Sequence, residues 1–351
     1  MLSNLSVGIE IGSASMKIVY GSANSKKIYI KNYDIFDTPD GTFLPNDSLN
    51  IQTILPVLKN KVKKLKFKRR GCYIALSSRK AIVRERELPK VKPRDMEELV
   101  KYEAEQFLPY SSDEFIIDYK VIGEDKTEDK DLFKVLIVAV PIEIIDSYIE
   151  LVKKSGLKLK GIDVYTNCIY KYGNRSLLEK DKNTLLVDIG GDTTKMTIFR
   201  GLEYFANINS DIGGSTANNA IVQMMGVKKN QAEELKREKG ILMSSYMSNV
   251  VDSERLTMAT YLEDTYSQIG SEIMRVIDFF RTRRYGDQID NVFFLGGGSN
   301  VKGLENYFQD MLGIGVKGIE PLESLNTHKK IELKKEDYKI LVPAIGAIMR
   351  G

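Results

Sequence analysis

A segment near the start of the chain returns half a chain-length later. Val7-Gly8-Ile9-Glu10-Ile11-Gly12-Ser13-Ala14-Ser15-Met16-Lys17 aligns with Leu185-Leu186-Val187-Asp188-Ile189-Gly190-Gly191-Asp192-Thr193-Thr194-Lys195, an offset of 178 in 351 residues. An acid, an isoleucine, a glycine, a hydroxyl residue and a lysine fall in register. Each copy reads as a buried strand ending in a carboxylate, a glycine turn and an outgoing strand, 18–20 in the first and 196–199 in the second. A buried strand that ends in an acid delivers it to a sheet edge, within reach of water and a metal. Glycines there let backbone N–H groups approach phosphate oxygens, and Ser or Thr hydroxyls add donors. Two such hairpins facing each other would clamp a polyphosphate, with Glu10 and Asp188 holding Mg²⁺ through water. One copy alone would read as a plain hairpin; two copies in register favour the clamp.

A third segment points to the same chemistry. Residues 291–295 read as a buried strand, followed by Gly296-Gly297-Gly298-Ser299-Asn300 and a helix near Lys302. Three glycines permit close approach of a flat or charged ligand beside the positive end of a helix dipole, and as a mere turn they would be wasteful in conformational entropy. Gly213 and Gly214 precede another helix and could serve from the opposite wall, although a simple turn explains them equally well. Glu233 and Lys236, three apart on a helical stretch, share a face. They could hold ribose and adenine, or form only a surface ion pair. The Walker pattern GxxxxGK[ST] does not occur.

Composition narrows the chemistry further. With 42% apolar and 28% charged residues the chain is globular, and its length suits roughly two domains. A formal charge of +4 is too mild to announce a nucleic-acid binder. The single histidine, His328, excludes histidine triads and multi-histidine metal sites. Cys72 and Cys168 form no CxxC pair and fit buried thiols in a reducing compartment. The first five residues carry no charged leader, and no run of about eighteen apolar residues occurs, so a soluble cytoplasmic chain is expected.

Short apolar runs at 7–11, 72–76, 135–140, 185–189 and 291–295 alternate with helix-period stretches at 51–65, 96–107, 142–152 and 253–284, which predicts an α/β fold. The helix at 96–107 is opened by Pro93, and Gly156 is the expected C-cap of the helix at 142–152. Phe115, Ile117, Tyr119 and Val121 alternate as a strand and, with the helix before them, form a small α+β insertion at about 86–132. Residues 242–252, rich in Ser and Met, read as a loop.

The two hairpins and the late strand with its glycines together resemble the actin-like ATPase superfamily. Within it, Lys101-Tyr102-Glu103-Ala104-Glu105-Gln106-Phe107-Leu108-Pro109-Tyr110, followed by Asp118-Tyr119-Lys120-Val121, is similar to the signature insertion of the PilM family, actin-like proteins of type IV pilus assembly. Stretches at 138–140, 148–152, 156–158, 211–214, 295–298 and 344–350, with Asp163, continue the match over essentially the whole chain.

The resemblance implies an actin-like (ribonuclease-H-like) fold of two domains around a nucleotide cleft. These would be 1–182, bearing the insertion, and 183–351, with a helical subdomain at about 216–290. It implies an ATP- and Mg²⁺-binding scaffold of the inner-membrane pilus assembly platform, recruited to the inner face of the membrane. The partner would be the cytoplasmic N-terminal tail of a PilN-type membrane protein, bound near the insertion, alongside other platform proteins. By the same resemblance Gly12, Ser13, Ser15 and Lys17 line the first phosphate loop, and Asp188, Gly190, Gly191 and Thr193 the second. Gly296, Gly297, Gly298 and Asn300 line the adenosine side, and Glu233 and Lys236 match the base–ribose pair. One position departs from the pattern: the first acid, usually Asp, is Glu10, about 1.5 Å longer. That departure predicts slow hydrolysis or none.

Two other readings compete. A cell-division homologue related to FtsA would carry an amphipathic membrane helix beyond a linker, whereas 340–349 is apolar almost all round and reads as a buried helix. A sugar or acetate kinase of the same superfamily would need a general base aimed at an acceptor hydroxyl, and no acid stands in a substrate-pocket motif. In the insertion, Glu103, Glu105, Asp113, Glu114 and Asp118 cluster acidic charge. Glu114 and Asp118 are the candidate contacts for a Lys/Arg-rich tail, against the plainer reading of a solvated face. In the basic stretch 59–70, Val62 and Leu65 continue a core stripe, so its lysines read as a solvated face or as a surface attracted to anionic lipid.

Overall fold

A computed structural model gives the architecture and describes residues 5–67, 69–127, 130–175, 177–243, 253–283 and 287–349. Of the loop expected at 242–252, positions 244–252 lie outside the described residues. The chain divides into two compact units, Met1–Thr38 with Tyr165–Gly351, and Pro39–Val164. The 182/183 division follows the sequence repeat; contact density instead groups both hairpins in the first unit.

That unit opens with β1 (Ser6–Ile11), β2 (Ser15–Ala23) and β3 (Ile28–Asp37), each antiparallel to the one before. Val7, Ile9, Ile11, Ile18 and Val19 are fully or almost fully buried, as a strand covered on both faces requires.

The second unit contains α1 (Ile51–Lys64), whose Ile54, Leu58 and Val62 are buried at four-residue spacing, followed by β4 (Gly71–Leu76). Then come β5 (Ile82–Pro89), α2 (Pro93–Glu105), β6 (Phe115–Thr127) and β7 (Lys130–Pro141). These build a small antiparallel sheet in the order β5-β7-β6. Met96, Val100 and Ala104 of α2 pack on Leu88, Val135 and Ile137, a core of their own. The insertion is thus α+β, but its sheet spans 82–141 and not 86–132. In β5 the run Arg84-Glu85-Arg86-Glu87 hides the strand from an apolar-run reading. The unit closes with α3 (Ile142–Ser155), ended by Gly156 at φ +87°, and β8 (Lys158–Val164), parallel to β4.

The chain then returns to the first unit. Here lie α4 (Tyr165–Gly173), β9 (Asn183–Ile189), β10 (Thr194–Arg200), β11 (Glu203–Ser210), α5 (Gly214–Met225), α6 (Lys229–Lys239) and α7 (Ser253–Arg283). β12 (Asn291–Leu295), α8 (Leu304–Leu312), β13 (Gly315–Gly318), β14 (Leu325–Thr327) and α9 (Lys335–Ile348) complete it. β9, β10 and β11 repeat the antiparallel path of β1, β2 and β3, and β12 and β13 extend the second sheet in parallel on the β9 side. The duplication read from two hairpins therefore reaches a third strand in each half. Leu185, Val187, Met196, Ile198, Tyr266, Ile269, Ile273, Phe280, Phe294 and Phe308 form one core beneath that sheet. Each full burial of such a side chain contributes about 1.5–3 kcal/mol. Helix α9 is buried from Tyr338 onward except for the half-buried Ile340, as the apolar run at 340–349 predicts. Its backbone runs so close to β1 and α4 that a Cβ on Gly8 would lie 2.3 Å from Ala344 O, and one on Gly346 2.2 Å from Cys168 O. Cys72 and Cys168 are buried and form no disulfide. Among the described residues no helix is long and apolar enough to cross a membrane.

Candidate functional site

In the first hairpin Glu10, the penultimate residue of β1, is 4% exposed, with Lys17 opposite it on β2. Lys17 Nζ stands 2.7 Å from Glu10 Oε2, in ion-pair contact but out of line for a hydrogen bond. The same Nζ donates to Ser15 O at 3.0 Å. Gly12 N closes the turn onto Ser15 O at 3.1 Å, and the Thr38 hydroxyl donates to Gly12 O at 2.7 Å.

The second hairpin has the same backbone. Asp188, 7% exposed, lies opposite Lys195, and Gly190 N donates to Thr193 O at 2.9 Å. Its side chains are deployed differently. Asp188 Oδ2 accepts the Tyr165 hydroxyl at 2.7 Å, and Lys195 Nζ stands 4.6 Å from the centre of the Tyr165 ring. Burial, then the charge and hydrogen bond of Asp188 and the field of Glu10, hold the Tyr165 hydroxyl well above the ordinary tyrosine range. It stays a neutral donor between the two acids.

The turns and glycines converge. Asp192 N donates to Ser13 Oγ at 3.1 Å, and a Cβ on Gly191 would fall 2.7 Å from Ala14 Cβ, so the two hairpin turns touch. At the start of α5, Gly214 N donates to Gly190 O at 2.9 Å and Ser215 N to Gly191 O at 2.8 Å. A Cβ on Gly213 would lie 2.4 Å from Gly191 O, which is why glycine stands there. Gly296, at φ +83°, presses against the second acid: a Cβ would lie 2.1 Å from Asp188 Oδ1. Gly298 packs on Ile189, and its carbonyl accepts the buried Tyr266 hydroxyl at 2.7 Å. Gly297 faces open space, where a Cβ would meet only Ile340 Cδ1 at 3.8 Å. Asn300 Nδ2 donates to Glu336 O at 3.1 Å.

Glu233 and Lys236 form more than a surface pair. Lys236 is buried and reaches Glu233 Oε2 at 2.7 Å and Gly214 O at 3.1 Å, tying α6 to the glycine turn. Burial holds the Lys236 ammonium below its ordinary range despite Glu233. Burial alone would raise the Glu233 carboxyl, but Lys236 and a hydrogen bond from Asn218 outweigh it and hold the carboxyl below its ordinary value. Asn218 Nδ2 donates to Glu233 Oε2 at 2.7 Å, and its buried Oδ1 has no hydrogen-bond partner.

Every residue expected at the nucleotide lies in the first unit, whereas Glu114 and Asp118 lie in the second, both exposed, before and on β6. The helix expected near Lys302 begins at Leu304, separated from the glycines by a short turn. Gly297–Asn300 form a single 3₁₀ turn, and Gly303 at φ +78° stands directly before α8. No α-helical dipole therefore starts at Gly296–298. Tyr165, Lys195, Asn218 and Tyr266 were not expected at the site. Lys195 had a signal, being the repeat partner of Lys17; the others are brought in from distant elements. Among the described residues no three His, Cys, Asp or Glu gather to ligate a metal. Two buried carboxylates suit a cation that keeps its own waters, as Mg²⁺ does.

A sequence model of the family described as type IV pilus assembly protein PilM matches residues 8–351. The chain belongs to that family. A solved PilM–PilN type IV pilus biogenesis complex is similar with a TM-score of 0.80 at 23% identity, over 98% of this chain and 97% of that one. Ethanolamine utilization protein EutJ from Carboxydothermus hydrogenoformans gives 0.57 at 12% identity, over 99% and 90% of the two chains. MreB5 of Spiroplasma citri, in a structure bound to ADP, gives 0.54 at 11%, over 98% and 95%. The fold of this PilM-family chain is accordingly actin-like, neither the FtsA-related nor the kinase reading is favoured, and the EAEQFLPY stretch that suggested the family lies on α2 and the turn after it.

Proposed function

We propose that the chain is an ATP-binding scaffold of the type IV pilus assembly platform that docks the cytoplasmic tail of a PilN-type membrane protein. The observation that carries the nucleotide part is the convergence of both hairpin turns, Gly213–214 and Gly296–298 within one unit, with Gly297 left open. Lys17 and the turns Gly12–Ser15 and Gly190–Thr193 would meet the phosphates through the amides of Ser13, Ser15, Gly191 and Thr193, while the Gly12 and Gly190 amides close the turns. Glu233, Lys236 and the unpartnered Asn218 Oδ1 would meet ribose and base. Mg²⁺, held through water by Glu10 and Asp188, would neutralise phosphate charge. With the longer Glu10 in place of the usual short acid, turnover would be slow or nil and ATP would act as a structural or switching ligand. The docking part is supported by family membership and by the solved PilM–PilN complex of like fold. The insertion sheet is its proposed seat, Glu114 and Asp118 setting on-rate and register. Recruitment to the inner face of the membrane follows from that partner.

The test is a melting curve with millimolar Mg²⁺-ATP. Ligand at a hundredfold its Kd stabilises by about 2.7 kcal/mol, a shift of several degrees. Gly297→Val should abolish the shift while keeping the fold. An unmoved wild-type curve contradicts the nucleotide reading. A tail peptide that binds equally well to a folded variant lacking the insertion contradicts the docking reading.

A further inference from the structure

In the second unit β4 and β8 run parallel, Gly71 opposite Lys158, and each directly follows a helix, α1 and α3 respectively. Both helices therefore end where both strands begin. Across that end Arg69 N donates to Gly156 O at 2.8 Å and Lys158 N to Arg70 O at 2.9 Å. Residues 59–70 and 153–160 together carry twelve basic residues and no acid, while the whole chain has a formal charge of only +4. The rest of the protein is net negative, and the positive charge is gathered at one end of one sheet. Lys63, Lys64, Lys66, Arg69, Lys153 and Lys158 are exposed there. An acid from α3, Glu150, pairs with Lys154 at 2.5 Å. Lys66 and Arg69 sit at φ +58° and +64°, where glycine would be unstrained, so cations are kept at positions the backbone would give to glycine.

We propose that this basic end is a docking surface for anionic lipid headgroups, which makes the chain a direct peripheral reader of a membrane surface. The residue types favour lipid over other polyanions. Ten of the twelve cations are lysines, compact point charges without the planar fork that reads phosphate or bases bidentately. The one aromatic in the two segments, Phe67, is 3% exposed, so no platform for base stacking and no apolar anchor for a protein partner is presented. A lysine-rich, aromatic-free surface suits a diffuse plane of negative charge, where each cation strengthens binding about fivefold. The insertion leaves the sheet beyond Leu76 and re-enters at Ile142, at the opposite end of β4, roughly 20 Å away. Lipid contact thus leaves the insertion free, and the inference does not depend on the proposed nucleotide.

The test is co-sedimentation of the full chain with vesicles of phosphatidylcholine containing about 30% phosphatidylglycerol, at about 50 mM and about 300 mM salt. Binding is expected at low salt, with release at high salt and none to pure phosphatidylcholine. The variant Lys63→Gln/Lys64→Gln/Lys66→Gln should bind about a hundredfold more weakly. The control Lys228→Gln/Lys229→Gln, on exposed lysines of the first unit, should bind as wild type, and all should melt alike. Wild-type binding by the triple variant, or equal binding to neutral vesicles, overturns the proposal. Tighter binding to a short DNA duplex than to the anionic vesicles at the same salt overturns it too, and assigns the surface to nucleic acid.

Discussion

In the first hairpin Glu10 meets the lysine opposite it, Lys17, at 2.7 Å; in the second, Asp188 turns to Tyr165 at 2.7 Å, and its own opposite lysine, Lys195, lies over that tyrosine ring. The backbones and registers are the same. The longer glutamate spans the strand pair, whereas the shorter aspartate is served by a neutral hydroxyl from α4. Duplication thus conserved where the acids stand, while their partners diverged. One acid is neutralised by a resident cation; the other keeps its negative field beside a neutral donor.

The glycine that presses on the second acid offers the largest break. Gly296→Ala would place a Cβ 2.1 Å from Asp188 Oδ1 in left-handed backbone, and should cost about 4 kcal/mol in denaturant unfolding from strain and crowding together. Gly12→Ala, whose Cβ would meet Glu10 Oε1 at 3.2 Å and the flexible Lys17 Nζ at 2.9 Å, should cost clearly less. Equal costs would mean that the two acids are packed alike.

The lysines come next. Lys17→Met strands a carboxylate that is 5% exposed and should cost about 3 kcal/mol. Lys195→Met removes only a contact with a ring and should cost under about 1 kcal/mol. Between these lies Tyr165→Phe, which leaves Asp188 Oδ2 without its donor and should cost about 2 kcal/mol. Unfolding curves of the three variants rank them. A Lys195 variant weaker than the Lys17 one would reverse the assignment of partners.

How much of this was legible in the sequence follows the range of each interaction. The hairpins were, because strand, acid, glycine and lysine are spelled out within eleven consecutive residues. Helices α1, α2 and α3 were, because their buried faces recur at helical spacing between clear start or stop residues such as Pro93 and Gly156. Strands β3 and β11 were not, because half-buried Asn and Asp residues break any apolar run. The Tyr165–Asp188 and Tyr266–Gly298 bonds could not be read at all, since each joins elements 23 and 32 residues apart whose meeting only the fold decides. The helix expected near Lys302 was legible and begins at Leu304, but the 3₁₀ turn Gly297–Asn300 before it was not, because nothing local distinguishes such a turn from an open glycine loop.

The smallest expected effect concerns chemistry. Glu10→Asp restores a short acid in the first hairpin and makes it resemble the second. Nucleotide binding should hold within about twofold and turnover stay unchanged or rise. A wild-type turnover above about 1 s⁻¹ would show that the longer acid does not slow hydrolysis.

The central claim is that both hairpins hold one nucleotide. Calorimetric titration of Mg²⁺-ATP into wild type, Glu10→Gln and Asp188→Asn tests it most directly. The expected result is one site per chain, weakened in both variants and by tenfold or more, about 1.4 kcal/mol, in Asp188→Asn, whose charge no resident cation neutralises. Absence of binding by wild type at millimolar nucleotide, or wild-type affinity in both variants, would contradict it.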